Sequence, residues 1–183
     1  MIITCDRNKL KETVLPMLRE KVFHVTSFKA YRGIVQDNAI KASKKYSNSL
    51  SSEISYGRNR GYVCLFDLRN KTDAVIEEAM RHYYFLNPFN QNISIFLILS
   101  RTDYPKLIYD TKAKKEAGYK EKYVPHVECW YPGNITLKYI DEILEVRITG
   151  QDDGYNPYEK LTKEQKERLL ETVELLPDGW DKL

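Results

Sequence analysis

"ISIFLIL", residues 93–99, is the longest apolar run in the chain, and its length decides the class of fold. Seven residues fall far short of the ~20 needed to cross a bilayer as a helix. Turn-forming "NPFNQN" at 87–92 bounds the run on one side, so it reads as a strand buried on both faces at the centre of a sheet. Upstream, "YVCLFDL" at 62–68 reads as a second strand. Between the two, residues 72–85 place Val75, Ile76, Ala79, Met80 and Tyr83 along one face of a helix. Nearer the start, "VFHVT" at 22–26 is strand-like, and Ser27 caps a helix whose Phe28, Tyr31, Ile34 and Val35 share a face. Asp6 caps a first helix with Leu10, Val14 and Leu18 inward, and Pro16 predicts a kink or an early stop there.

Downstream, "KLIYD" at 106–110 reads as a short strand and the lysine-rich stretch to 122 as a loop. A strand follows over Tyr123–Cys129, then a short helix in "TLKYIDEI" (136–143) and a strand in "ILEVRI" (143–148). "TGQDDGYNPYE", 149–159, is a linker. Thr162 and Gln165 have capping-box spacing, opening a last helix over 161–176 whose Leu169, Leu170, Val173 and Leu176 form an apolar face. Residues 41–60 are rich in Ser, Lys, Asn and Gly and predict a long loop. The strands lack regular βαβ alternation, so the expected class is α+β with a twisted or split sheet and flanking helices, all in one domain spanning 1–183.

Composition narrows the function classes. Hydrophobic residues at 42% and charged residues at 30% fit a globular soluble domain, and no membrane partner is expected. The start, "MIITCDRNKLKE", has no apolar core behind a basic segment, so a cytoplasmic location is expected. Cys5, Cys64 and Cys129 are odd in number and widely spaced, which argues for a reducing compartment rather than a disulfide framework. Net charge is only +3, but basic residues cluster at 41–47, 57–62 and 111–123 among 14 tyrosines. Such interleaving suits either a phosphate-rich, base-stacking partner or simply solvated loops.

Three segments carry candidate chemistry. In "FHVTSF", period two puts His24 and Thr26 on one face just before a helix N-terminus, where they either meet a ligand hydroxyl or sit hydrogen-bonded at a sheet rim. In "SYGRNRGY", 55–62, Arg58 and Arg60 lie among two glycines before a strong strand, an arrangement able to grip an anion or to form a charged surface loop. In "HVECWYPGNI", 126–135, alternation puts His126, Glu128 and Trp130 on one face. Glu128 there is either an exposed edge charge or a buried acid with a raised pKa. The H-x-E of "HVEC" lacks the P-C-x-x-C that a zinc deaminase needs, and no G-x-S-x-G is present, so neither a metal nor a serine nucleophile is expected.

Taken in order, "FHVTSFKAYRGIV", "GRNRGYVCLFDLR" and "HVECWYPGNITLKYIDEILEV" resemble the ADP-ribosyltransferase superfamily, most of all the branch of DNA-modifying toxins called DarT. The similarity spans about residues 22–148. It implies an ADP-ribosyltransferase-like split β-sheet and a glycosyltransferase-class enzyme that uses NAD as substrate. By that resemblance Glu128 matches the catalytic glutamate on the nicotinamide ribose, and His24 and Thr26 match the cofactor-contacting strand. Arg58 or Arg60 matches the arginine that fixes the cofactor phosphates or the acceptor. The resemblance leaves the aromatic that stacks on nicotinamide open between Tyr56 and Tyr62. The branch implies a nucleic-acid acceptor, single-stranded DNA or RNA, and a toxin or defence role with an antitoxin partner. The alternative is a non-catalytic nucleotide- or nucleic-acid-binding module on the same fold. A 2′-phosphotransferase acting on RNA needs more Arg and His pocket residues than the chain supplies.

Overall fold

The computed structural model describes residues 1–42, 55–118 and 121–150; most of the basic cluster at 41–47 and the predicted helix over 161–176 lie outside the described residues. Strand β1 (Ile2–Asp6) opens the chain, and Asp6 caps a single 3₁₀ turn before helix α1 (Leu10–Leu18). Then come β2 (Val22–Ser27), α2 (Phe28–Asp37), β3 (Ala39–Ile40), the one-turn α3 (Tyr56–Asn59), β4 (Tyr62–Asp67) and α4 (Asp73–His82). β5 (Ile93–Leu99), α5 (Asp110–Glu116), β6 (Glu128–Pro132), β7 (Ile135–Thr136) and β8 (Ile140–Thr149) complete the described elements.

The class is α+β, as expected. Six strands form one mixed, mostly antiparallel sheet in the order β1-β8-β5-β2-β4-β6, with only the β1–β8 pair parallel; β3 and β7 form a separate ribbon. β5 sits inside the sheet between β8 and β2 and buries six of its seven residues, matching its uniformly apolar sequence. Alternation divides the core into two layers. Phe23, Val25, Phe66, Phe96 and Val146 face α1 and α4, while Val22, Leu65, Ile95, Leu97 and Cys129 face α2 and the β3–β7 ribbon. Helices α2 and α4 start at hydroxyl caps, Ser27 and Thr72, each accepting a backbone N–H three residues on. Among the described residues no helix is long and apolar enough to cross a membrane.

Several local expectations are corrected. β1 was not anticipated, because it is an edge strand burying only Cys5 and shows no amphipathic signal. Pro16 sits inside α1 near its end, and the helix runs two residues past it. The "KLIYD" strand reduces to one bridge, Ile108 to Trp130. The lysine-rich "loop" contains helix α5, anchored by the fully buried Ala113. "TLKYIDEI" forms a 3₁₀ turn (Leu137–Tyr139) and then the first half of the ten-residue β8, because Ile140–Leu99 and Glu142–Ile98 pairing outweighs helical spacing.

Candidate functional site

The pairing of β2 with β4 is short. Only Val22–Asp67 and Phe23–Phe66 are in register, although β2 continues alongside β5 to Ser27 and β4 continues alongside β6 to Tyr62. The six-stranded sheet therefore opens between β2 and β4 beyond Phe23. His24 stands at that opening. Its Nδ1 lies 2.9 Å from the Cys64 carbonyl oxygen, which can only accept, so Nδ1 carries the proton. Burial holds the His24 pKa below the ordinary histidine value, the carbonyl bond opposes that shift, and the Arg58 charge adds to it. The neutral ring thus leaves Nε2 as an acceptor. Two residues on, Thr26 is buried and paired with Ile95.

Glu128 opens β6 on the face shared with Phe66, Cys64 and Trp130. It is 8% exposed, which excludes the reading as an exposed charge even though β6 is the edge strand of the sheet. The expected strand over Tyr123–Cys129 begins only at Glu128; the residues before it form a tight turn. His126 takes a left-handed backbone (φ 68°) and is solvent-exposed beside Asp110, so it does not share the Glu128 face. Within the turn the Glu128 N–H donates to the Val124 carbonyl (3.0 Å), and the Val124 N–H donates back to Glu128 Oε2 (2.6 Å). The Trp130 indole N–H donates to Oε1 (3.0 Å). The carboxyl group is therefore fixed by its own turn and its own strand. Burial pushes its pKa up to about 7; the Val124 N–H, the Trp130 indole and the Cys64 thiol hold it from rising further.

Cys64 links the two halves: its carbonyl receives His24, and its side chain lies against Glu128 and Ser55. Burial, then the Glu128 charge, push the thiol pKa up, so it is not a thiolate nucleophile. Cys64 and the Val124 N–H were missed in the sequence. The alternation of Tyr62, Cys64 and Phe66 opposite Trp130 is the signal that points to Cys64.

The remaining expected residues separate. Arg58, on α3, contributes charge to both His24 and Cys64. Arg60 is engaged elsewhere: its guanidinium donates to Glu121 (2.8 Å), the Glu116 carbonyl (2.9 Å) and the Tyr56 carbonyl (3.1 Å), and it stacks 3.9 Å above the Tyr56 ring. Tyr56 is fully buried against Trp130 (centroids 4.5 Å), and its hydroxyl donates to Glu116 (2.9 Å). Burial, reinforced by Glu116, pushes that hydroxyl up to about 12. Arg60 and Tyr56 thus latch α5 onto α3 rather than reaching the β2–β4 opening. Tyr62 is half-buried beside Cys64 in the same aromatic cluster. Gly57 is required where it stands: a Cβ there would lie 2.3 Å from Trp130 Cδ1. Among the described residues no group of three or more His, Cys, Asp or Glu side chains is placed to hold a metal ion.

No family model matches this chain, and searches of curated proteins and of solved structures likewise return no match.

Proposed function

We propose that the chain is a NAD-dependent ADP-ribosyltransferase of the DarT-like kind, acting on a nucleic-acid acceptor such as single-stranded DNA or RNA. The observation that carries this reading is the β2–β4 opening, with His24 at its lip and, one strand further, a buried carboxyl whose orientation is fixed by Val124 and Trp130. We read the opening as the split of an ADP-ribosyltransferase-like sheet. In such a reaction the nicotinamide–ribose bond breaks, nicotinamide leaves with the bonding electrons, and an acceptor atom bonds the sugar carbon while releasing its proton. Positive charge builds on the sugar as the bond breaks. A preorganised carboxylate beside it lowers that barrier because it need not reorganise. Glu128, on the Phe23–Phe66 face, is assigned that role and orients a ribose hydroxyl; His24, which alternation puts on the opposite face, is assigned the far lip of the opening, where its Nε2 accepts from a second hydroxyl. Thr26 and Tyr62 are assigned to contact the cofactor from the two faces of the opening, and Arg58 to supply the cation for its phosphates.

A second reading is favoured by one observation. Both Glu128 oxygens already accept a hydrogen bond, so the carboxyl also serves as the tie of its own turn. On that reading the chain is a non-catalytic nucleotide- or nucleic-acid-binding module. Incubation with NAD labelled in the adenylate, with single-stranded DNA or RNA as acceptor, separates the two. Label transfer that Glu128→Gln abolishes, with the fold intact, supports the enzyme. NAD binding without transfer to either polymer supports the module.

A further inference from the structure

Helix α2 is nearly bare. Of its ten residues only Ile34 is buried, and Tyr31 is half-buried beside it against the sheet. A second apolar line, Phe28 and Val35, one helical repeat of seven apart, faces outward at 41% and 49% exposure. Arg32 lies between them and Gln36 just past Val35, and a depression of about 750 Å³ runs along this side with α2 as its described wall. A soluble helix does not ordinarily leave one apolar stripe in water after burying another.

We propose that the C-terminal segment, residues 162–176, covers this stripe. Chain geometry delivers it there. β8 and β2 run in the same direction on either side of β5, and Val146, Ser94 and Ser27 are in register across the three strands. The described chain ends at Gly150, at the end of the sheet where α2 begins. Two strand spacings, roughly 10 Å, separate the lines of β8 and β2. The eleven residues from 151 to 161 span up to about 36 Å when extended, ample to reach over α2. Residues 162–176 supply a matching face of Leu169, Leu170, Val173 and Leu176. Charge favours the same pairing. Residues 151–183 hold nine acidic and five basic side chains, whereas residues 1–150 hold 17 acidic and 24 basic, with Lys29 and Arg32 on α2 itself. An acidic tail therefore folds back onto a basic body, apolar face to apolar stripe.

Hydrogen–deuterium exchange of the full chain tests this. Amides of 165–176 are expected to exchange at least tenfold more slowly than peptide rates, and to lose that protection in Phe28→Asp/Val35→Asp and, from the other side, in Leu170→Asp. β5 amides act as the fold control. If the double variant disturbs β5, Val35→Asp alone and Leu170→Asp carry the comparison. Three results overturn the proposal: no protection in the parent chain, protection unchanged in both the α2 and the Leu170 variants, or protection that grows with protein concentration, which assigns the stripe to a second copy. None of these outcomes depends on NAD.

Discussion

Ionising Glu128 destabilises the fold, by an amount the structure sets. Its carboxyl is buried, and burial raises its pKa from 4.5 to about 7. Between those two values the folded state holds a proton that the unfolded state has lost, so stability falls as pH rises through this window and levels off above it. At about 1.4 kcal/mol per pKa unit the full effect is about 3 kcal/mol, most of which develops between pH 5 and pH 8. His24 works in the opposite sense: its depressed pKa means that stability is lost as pH falls below the ordinary histidine value. A single pH–stability curve therefore mixes the two, and the comparison with Glu128→Gln separates them. The amide cannot ionise, and its NH₂ must face one of the two N–H groups that now bond the carboxylate, a fixed penalty of about 1–3 kcal/mol. Urea unfolding of both proteins at half-unit pH steps measures the difference. That difference should move by about 2–3 kcal/mol in favour of the Gln variant between pH 5 and pH 8. A difference flat to within about 0.5 kcal/mol, by the same conversion, refutes the claim that this carboxyl is desolvated.

Other substitutions probe the supports of the site. Trp130→Phe keeps most of the ring but deletes the N–H on Glu128, so the carboxylate loses one of its donors. Stability should fall by about 1–3 kcal/mol, and the Glu128 midpoint from the same titration should shift upward. Gly57→Ala forces a methyl into the Trp130 indole and should cost about 1–3 kcal/mol in thermal or denaturant unfolding. Arg60→Ala removes the latch between α3 and α5, and trypsin should then cut at Lys112, Lys114 or Lys115 faster than in the parent chain, with the remaining fragments stable.

The strongest elements of the fold were legible because their signal is local. "ISIFLIL" has too few residues for a membrane span and no polar face, and it became the buried β5. Ser27 announces its helix by side-chain chemistry that acts over three residues, and Thr72 caps α4 in the same way. β1 and α5 were not legible because tertiary contacts make them. β1 gains its order from backbone pairing with β8, and α5 is held by Ala113, by Tyr56 and by Arg60, which is 50 residues or more away along the chain. The site follows the same rule. Glu128 beside Trp130 is visible as an acid on an apolar strand, but that pattern leaves exposure and burial both open; only the structure shows it buried. The turn that gives it the Val124 N–H is not visible, because it depends on the left-handed backbone of His126, a residue with no special tendency toward that region beyond a modest enrichment. Arg58 and Arg60 are indistinguishable by composition; only the position of α5 shows which one is committed to a latch.

The most direct test is a crystal structure of the chain with a non-cleavable NAD analogue. The account predicts the nicotinamide ribose in the β2–β4 opening, with a hydroxyl within about 3 Å of the Glu128 carboxyl and the other polar edge of the sugar at His24. An analogue bound elsewhere, or a Glu128 carboxyl still closed off by Val124 and Trp130 with no sugar against it, contradicts the account.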